Sequence, residues 1–409
     1  MPDPTATARR ADFHFDPSAA GFDVDPWPTY AYMQEHEPAF WWEEKQAWIL
    51  TRHEDVVMTL RDPRFSVEFR YYGPDHLPDE QLTAHQLLTR YGMFWMSLED
   101  HNHVRGAVAS LFRANAVAEY RQQVQRVVDD ILDGTAERGE LDVVEDFVLG
   151  YPAKAITALL GIPGEQHDDF LRFASSVLDA FYPSIDAAAY DEKMSYLPHG
   201  VALVEGLIEQ DRANPRGGLL SALIAARRGG RGLSPRQLLG MVGVIISAGS
   251  EPTRHLVSFT IYNLLRHPDQ LAVLRAQPDL LGNAVNEVGR YDSMGKLNFP
   301  RFPLEDIELH GVTLRKGCPV FGVFASAQRD PGVFPDPGRF DIRRDQRGSL
   351  LWSTGLHNCL GHSLAQMIVE VAVETFLRRF PDASLLGDPV YTRDTFFRKM
   401  VSLPVSLKG

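Results

Sequence analysis

Helical periodicity is the feature that most restricts the folds open to this chain. Apolar residues recur at three- and four-residue spacing through "HVRGAVASLFRANAVAEYRQQVQRVVDDILDG", "HGVALVEGLIEQDRAN", "PRQLLGMVGVIISAGS", "DLLGNAVNEVGRYD" and "SLAQMIVEVAVETFLRRF". Strand-like alternation is confined to "AFWWEEKQAWILTR" near the start and "IELHGVTLRKGCPVFGVF" after residue 306, where His310 and Gly311 read as a hairpin turn. The pattern predicts a mainly α fold with a small β region carrying a mixed sheet. A Pro- and Gly-rich coil, "RDPGVFPDPGRFDIRRDQRGS", continues to residue 360. A coil of that length in a compact domain carries either function or disorder. No repeat and no Gly/Ser linker divides the chain, so residues 1–409 are read as one domain with an irregular extension over 1–25.

Charge and cysteine content narrow the function. A formal net charge of −13 argues against nucleic acid as the main partner, because phosphate binding requires clustered Lys and Arg. The amino terminus lacks the apolar run of a signal peptide, and no apolar stretch reaches the ~20 residues of a membrane span, so a cytoplasmic protein without membrane attachment is expected. With only Cys318 and Cys359, neither a disulfide framework nor a four-cysteine zinc site can form.

In "LLWSTGLHNCLGHSLAQ", Cys359 immediately precedes an amphipathic helix. A thiolate there is favoured by the helix N-terminal amides and dipole, which suits a metal ligand. Taken alone, Cys359 reads better as an inert buried thiol, and a zinc set of His357, Cys359 and His362 lacks a fourth ligand and the usual spacing. Elsewhere, Glu287 and Arg290 stand three apart on one helix face and can pair. A third oddity is "VIISAGSEPTRHLVSF", a buried-helix pattern interrupted by Pro252, which removes an N–H, crowds the Ala248 carbonyl and costs about 3 kcal/mol or more.

Together these stretches resemble the cytochrome P450 family. The haem-binding loop of that family is matched by Trp352, Gly355, His357, Cys359 and Gly361, with Ala365 one turn later; Trp352 and Ser353 depart from the more usual phenylalanine and glycine. The resemblance implies the P450 fold, haem b (iron protoporphyrin) with Cys359 as ligand to the iron, and activation of O2, since a thiolate ligand favours O–O cleavage. It implies that Glu287 and Arg290 form a buried structural pair behind the haem, joined by Arg339 of "DPGRFD". Haem propionates need cationic or hydrogen-bonding partners, for which the resemblance offers His101 and Arg105 of "EDHNHVRGA", Arg301 and His357. His103 fits less well, because the position four residues later is alanine.

The family's oxygen-activating helix carries Ala-Gly-x-acid-Thr, matched here by Ala248, Gly249, Ser250, Glu251 and Pro252. The threonine is absent. Glu251 is left as a proton relay, and Thr253, about 100° around the helix, faces the iron only if the helix distorts. Correspondence puts Val244, Ala248, Leu297, Phe299 and Phe396 at the distal pocket, capped from "YGMFWMSLED", for a small hydrophobic or aromatic substrate, free or carrier-bound.

No dinucleotide fingerprint and no cysteine cluster is present, so electrons from NAD(P)H are expected through a ferredoxin and ferredoxin reductase, with Arg113 and Arg343 as candidate docking residues on a monomer. A monooxygenase whose substrate hydroxyl or ordered water replaces the threonine leads the readings. An O-demethylase of methoxylated aromatics, a peroxide-using or coupling enzyme, and a non-catalytic haem sensor or carrier are the alternatives.

Overall fold

The computed structural model describes residues 13–17, 19, 21–135, 138–181, 187–394 and 396–408. Helix dominates, as the periodicity requires. The longest helices are Pro235–Arg266, Ala187–Ala213 and His362–Arg379. The stretch after residue 97 is segmented rather than continuous: Leu98–Val108, a 3-10 turn Ala109–Phe112, Ala114–Ala118 and Arg121–Asp133. Buried Phe112 and Val117 are five residues apart, about 140° on an unbroken helix, and extended backbone at Arg113 absorbs that offset. Between Ala327 and His362 there is no regular element, so the long coil expected there is present. Among the described residues no helix is long and apolar enough to cross a membrane.

The chain divides into two compact units. The first comprises Met1–Val67, Phe259–Cys359 and Gly387–Leu403. Its mixed sheet pairs Ala39–Trp42 antiparallel with Ala47–Leu50, which pairs parallel with Val320–Gly322. The expected hairpin forms between Ile307–Leu309 and Val312–Leu314, with His310 and Gly311 at φ 48° and 75°, the left-handed pair that a two-residue turn requires. Residues 1–12 of the expected extension lie outside the described residues, whereas Phe15 and Phe22 already belong to the core with Tyr30, Met33, Trp42 and Ile49.

The second unit comprises Glu68–Ser258, Leu360–Leu386 and Pro404–Gly409. Within it, Arg121–Asp133 lies along His362–Arg379, held by buried Val124, Val128 and Leu132 and by Gln125 Nε2 donating to Thr375 Oγ1 at 3.0 Å. Tyr151, fully buried, donates its hydroxyl to the Ile368 carbonyl at 2.7 Å, which fixes a neighbouring helix to the same core. Gly240, in the first turns of the Pro235–Arg266 helix, lies against the backbone of Tyr91; a Cβ there would stand 1.9 Å from the Tyr91 carbonyl oxygen.

Candidate functional site

The loop that presents Cys359 is pinned from several sides. The Cys359 amide donates to the Trp352 carbonyl at 2.9 Å, and the Asn358 amide to that of Gly355 at 3.2 Å. Trp352 Nε1 donates to Asn286 Oδ1 at 2.7 Å. Gly355, at φ 76°, passes so close to the Leu60 backbone that a Cβ would lie 2.3 Å from its carbonyl oxygen. Ser353 is also left-handed, at φ 58°, where a side chain is strained and glycine is not. The loop leaves Cys359 half-buried three residues before the His362–Arg379 helix, capped at Gly361.

Behind this coil, Glu287 and Arg290 are both fully buried and form a bidentate pair at 2.7 and 2.9 Å. Bidentate Arg–carboxylate geometry is the strong form of such a bond. Glu287 also accepts from the Asp341 amide at 3.0 Å, Gln346 Nε2 at 3.1 Å and Arg344 Nε at 3.2 Å. The arginine that completes the cluster is therefore Arg344. The expectation for Arg339 is corrected: its side chain is 65% exposed and pairs with Asp341 at 3.5 Å, and only its carbonyl joins the cluster, accepting from Arg290 and Arg344. The coil turns between the two arginines, directing Arg339 outward and Arg344 inward.

The proline-bearing helix runs unbroken from Pro235 to Arg266. Between Met241 and Leu264 most positions are buried, yet Ala248 is exposed and Val244, Gly249 and Pro252 are half-buried. Val244, Ala248 and Pro252 fall within about 80° of one another, so an open stripe runs along one face of an otherwise enclosed helix. Thr253 and Glu251 are off that stripe, each 3% exposed, and the helix shows no break that would turn Thr253 toward it. The Glu251 carboxylate is engaged on its own helix: Arg254 Nη2 donates to Oε1 at 2.7 Å, and a His255 ring nitrogen lies 3.3 Å from the same oxygen. Ser250 Oγ is buried and has no hydrogen-bond partner among the described residues. The spacing of three and four that joins Glu251 to Arg254 and His255 is visible in "EPTRH", but it is one of many such spacings in a helical chain.

The remaining candidates divide between the units. In the second, His101 is fully buried on the Leu98–Val108 helix, begun by Ser97 whose Oγ accepts from the Asp100 amide at 3.2 Å. Burial, then the nearby Arg105 charge, push the His101 pKa down, so its neutral form is favoured. In the first, Arg301 is 5% exposed and donates to the Phe299 carbonyl at 3.3 Å, while His357 is half-buried in the cysteine loop. The rings of Phe299 and Phe396 meet at 5.6 Å, and the Leu297 amide points to the Phe396 carbonyl at 3.4 Å. Leu297 is also part of the core around Phe15 and Tyr30, so its packing is structural in part.

These donors fit a haem better than a protein-ligated metal. Among the described residues no group of three His, Cys, Asp or Glu side chains could hold an ion, so His357, Cys359 and His362 do not form the zinc set considered above. A metal bound by the single soft sulfur of Cys359 would need to bring its other ligands with it, as a porphyrin does. The open helix stripe and the buried cationic or imidazole side chains are of the kind that a flat, apolar, doubly carboxylated group requires.

Comparison with known proteins agrees. The cytochrome P450 family model matches residues 188–383. Epothilone C/D epoxidase of Sorangium cellulosum is 37% identical over 400 residues, covering 97% of this chain and 96% of that protein. The crystal structure of epothilone D-bound cytochrome P450epoK superposes with a TM-score of 0.90 at 36% identity, covering 97% of this chain and all of the other. P450BioI in complex with an acyl carrier protein ligated to hexadec-9Z-enoic acid gives 0.85 at 28% identity, covering 95% and 100%. The pinned cysteine loop, the buried Glu287–Arg290 pair and near-complete coverage by these relatives lead to one conclusion: the chain belongs to the cytochrome P450 family, and it is an oxidoreductase of the monooxygenase type.

Proposed function

We propose that the protein is a haem-thiolate monooxygenase that inserts one oxygen atom from O2 into a hydrophobic substrate, using electrons delivered by a ferredoxin and its reductase. The observation that carries this reading is the placement of half-buried Cys359 at the start of a long helix, in a loop pinned by its own backbone hydrogen bonds. Coverage of nearly the whole chain by single P450 relatives supports a single functional domain. When bound, the haem supplies the activation of O2. Cys359 would hold its iron, with Gly355 and Gly361 shaping the loop, and His101, Arg105, Arg301 and His357 would neutralise or hydrogen-bond its propionates.

The chain's own residues set the conditions of the reaction. The helix N-terminus stabilises a thiolate at Cys359 Sγ over the thiol. Val244 and Ala248 keep the open stripe apolar and narrow in side-chain bulk, which admits a hydrophobic substrate and excludes water. Pro252 offers neither a hydroxyl nor an N–H, so the hydrogen bond that a threonine would give must come from the substrate or an ordered water. Arg254 and His255 hold Glu251 Oε1 on the helix, where it can accept or pass a proton.

A second reading, a peroxide-using or coupling reaction, is favoured by one observation: Glu251 is off the open stripe and engaged with its helix neighbours. Three measurements test these readings. Cys359→Ser should abolish the thiolate-type absorption of the ferrous carbon monoxide complex, and its survival would overturn the ligand assignment. A spin-state titration with epothilones C and D, methoxylated aromatics, terpenoids and fatty acids, the last free and on an acyl carrier protein, should give a high-spin shift with one class. Turnover of that class with peroxide but not with ferredoxin and reductase would favour the second reading.

A further inference from the structure

Residues 227–232, between the Gly218–Ala225 helix and the Pro235–Arg266 helix, form a small hairpin with an unusual concentration of charge. Arg227 and Arg228 pair with Gly232 and Arg231 across Gly229 and Gly230, which turn the chain at φ 57° and 80°. All three arginines are exposed, and among the described residues none is paired with a carboxylate. In a chain of formal net charge −13, this segment carries three cations and no acid.

The hairpin is held in place. Arg227 Nη1 donates to the carbonyls of Ile224 and Ala226 at 2.7 and 2.8 Å. Arg228 donates to the Asn102 carbonyl on the Leu98–Val108 helix, and His103 on that helix meets the Gly232 carbonyl at 3.4 Å. Gly106 makes the approach possible, since a Cβ there would stand 2.5 Å from Arg228 Nη1. Glu99 and Asp100 lie in the first turn of the helix, and among the described residues neither forms an ion pair with Arg227, Arg228 or Arg231. A tight turn alone needs Gly229 and Gly230, not three arginines around them.

A fixed cationic surface of this kind attracts an anionic macromolecule and steers its approach. Nucleic acid is disfavoured by the overall negative charge, and a tip of two glycines offers no apolar side chain for a membrane to take up. An acidic protein remains. We propose that the Arg227–Arg228–Arg231 hairpin is a docking surface for the acidic iron-sulfur protein that delivers electrons to this enzyme. The inference rests on the proposed function in one respect: the hairpin is seated on the helix whose His101 and Arg105 are assigned to the haem.

The test uses the haem-loaded protein and an acidic plant-type [2Fe–2S] ferredoxin, with binding measured calorimetrically from about 0.02 M to about 0.5 M salt. Wild type should bind most tightly at low salt. The double variant R227E/R231E should bind at least about tenfold more weakly there and converge on wild type at high salt. An unchanged affinity at low salt would overturn the proposal, as would a loss seen with an acyl carrier protein but not with the ferredoxin. The carbon monoxide spectrum and chemical reduction by dithionite separate this from the broader reading. If both are normal in the variant, a negative result concerns only the docking surface, whereas a wild-type protein without a thiolate-type spectrum would defeat the monooxygenase assignment itself.

Discussion

Two acid–base clusters in this molecule start from the same sequence device, a glutamate with an arginine three residues later on a helix, and end in different physical states. Glu287 and Arg290 are both without exposure, and the carboxylate is further supplied by Asp341, Arg344 and Gln346. Glu251 is nearly as buried, but its partner Arg254 keeps 21% of its side chain accessible and the other partner is a histidine. The first arrangement has every charge answered by fixed donors from the coil, which makes it a structural lock. The second sets one carboxylate oxygen between a buried imidazole and an arginine that reaches solvent, so it has fewer fixed donors than the first. Spacing in the sequence is silent on this difference; the surroundings decide it.

The largest break in the comparison should come from Glu287→Ala. Stranding buried Arg290 should cost about 3–5 kcal/mol in denaturant unfolding, whereas Glu251→Ala, which leaves an arginine able to turn to water, should cost well under half of that. Equal losses would show that the two clusters do the same job. Next, Arg344→Gln should destabilise by about 1–3 kcal/mol through loss of a charge-assisted bond to a buried carboxylate. Arg339→Gln should stay within about 0.5 kcal/mol, and the reverse ranking would restore Arg339 to the lock. Ser353→Gly, beside the lock in the cysteine loop, should stabilise by up to about 1 kcal/mol by relieving left-handed backbone, read as a higher melting temperature.

The smallest effect is on pH. His101 has a folded-state pKa below its ordinary value of 6.5, from burial and then Arg105, so the unfolded chain binds the proton more readily. That contribution to stability is intact above pH 6.5 and is lost as pH falls toward the folded value. His101→Gln should flatten this part of the stability profile measured without haem. An unchanged profile would mean that other groups govern the acid limb.

Much of the fold was legible because periodicity and turn chemistry act locally. The mixed sheet, the His310–Gly311 turn and the long coil could all be read from residue order. The broken helix after Val108 could not, because apolar spacing looks regular until burial shows that both Phe112 and Val117 face inward. At the site, the pairing of Glu287 with Arg290 was legible from its motif. Arg344 was missed because inside a coil no period tells which of two arginines, five residues apart, faces inward. Arg254 and His255 were hidden for the opposite reason: helical spacing joins so many pairs that none stands out.

The close seat of Gly240 against Tyr91 has a consequence for anyone reshaping this enzyme. The residues one and two turns further along the same helix, Val244 and Ala248, border open space and are natural positions to randomise when new substrates are sought. Position 240 is not. Even alanine there would collide with main chain that has no rotamer to change, so it would push the Tyr91 segment away and alter every downstream position in a library at once. A mutagenesis campaign that holds residue 240 as glycine would vary the chemistry of the pocket while leaving its frame in place.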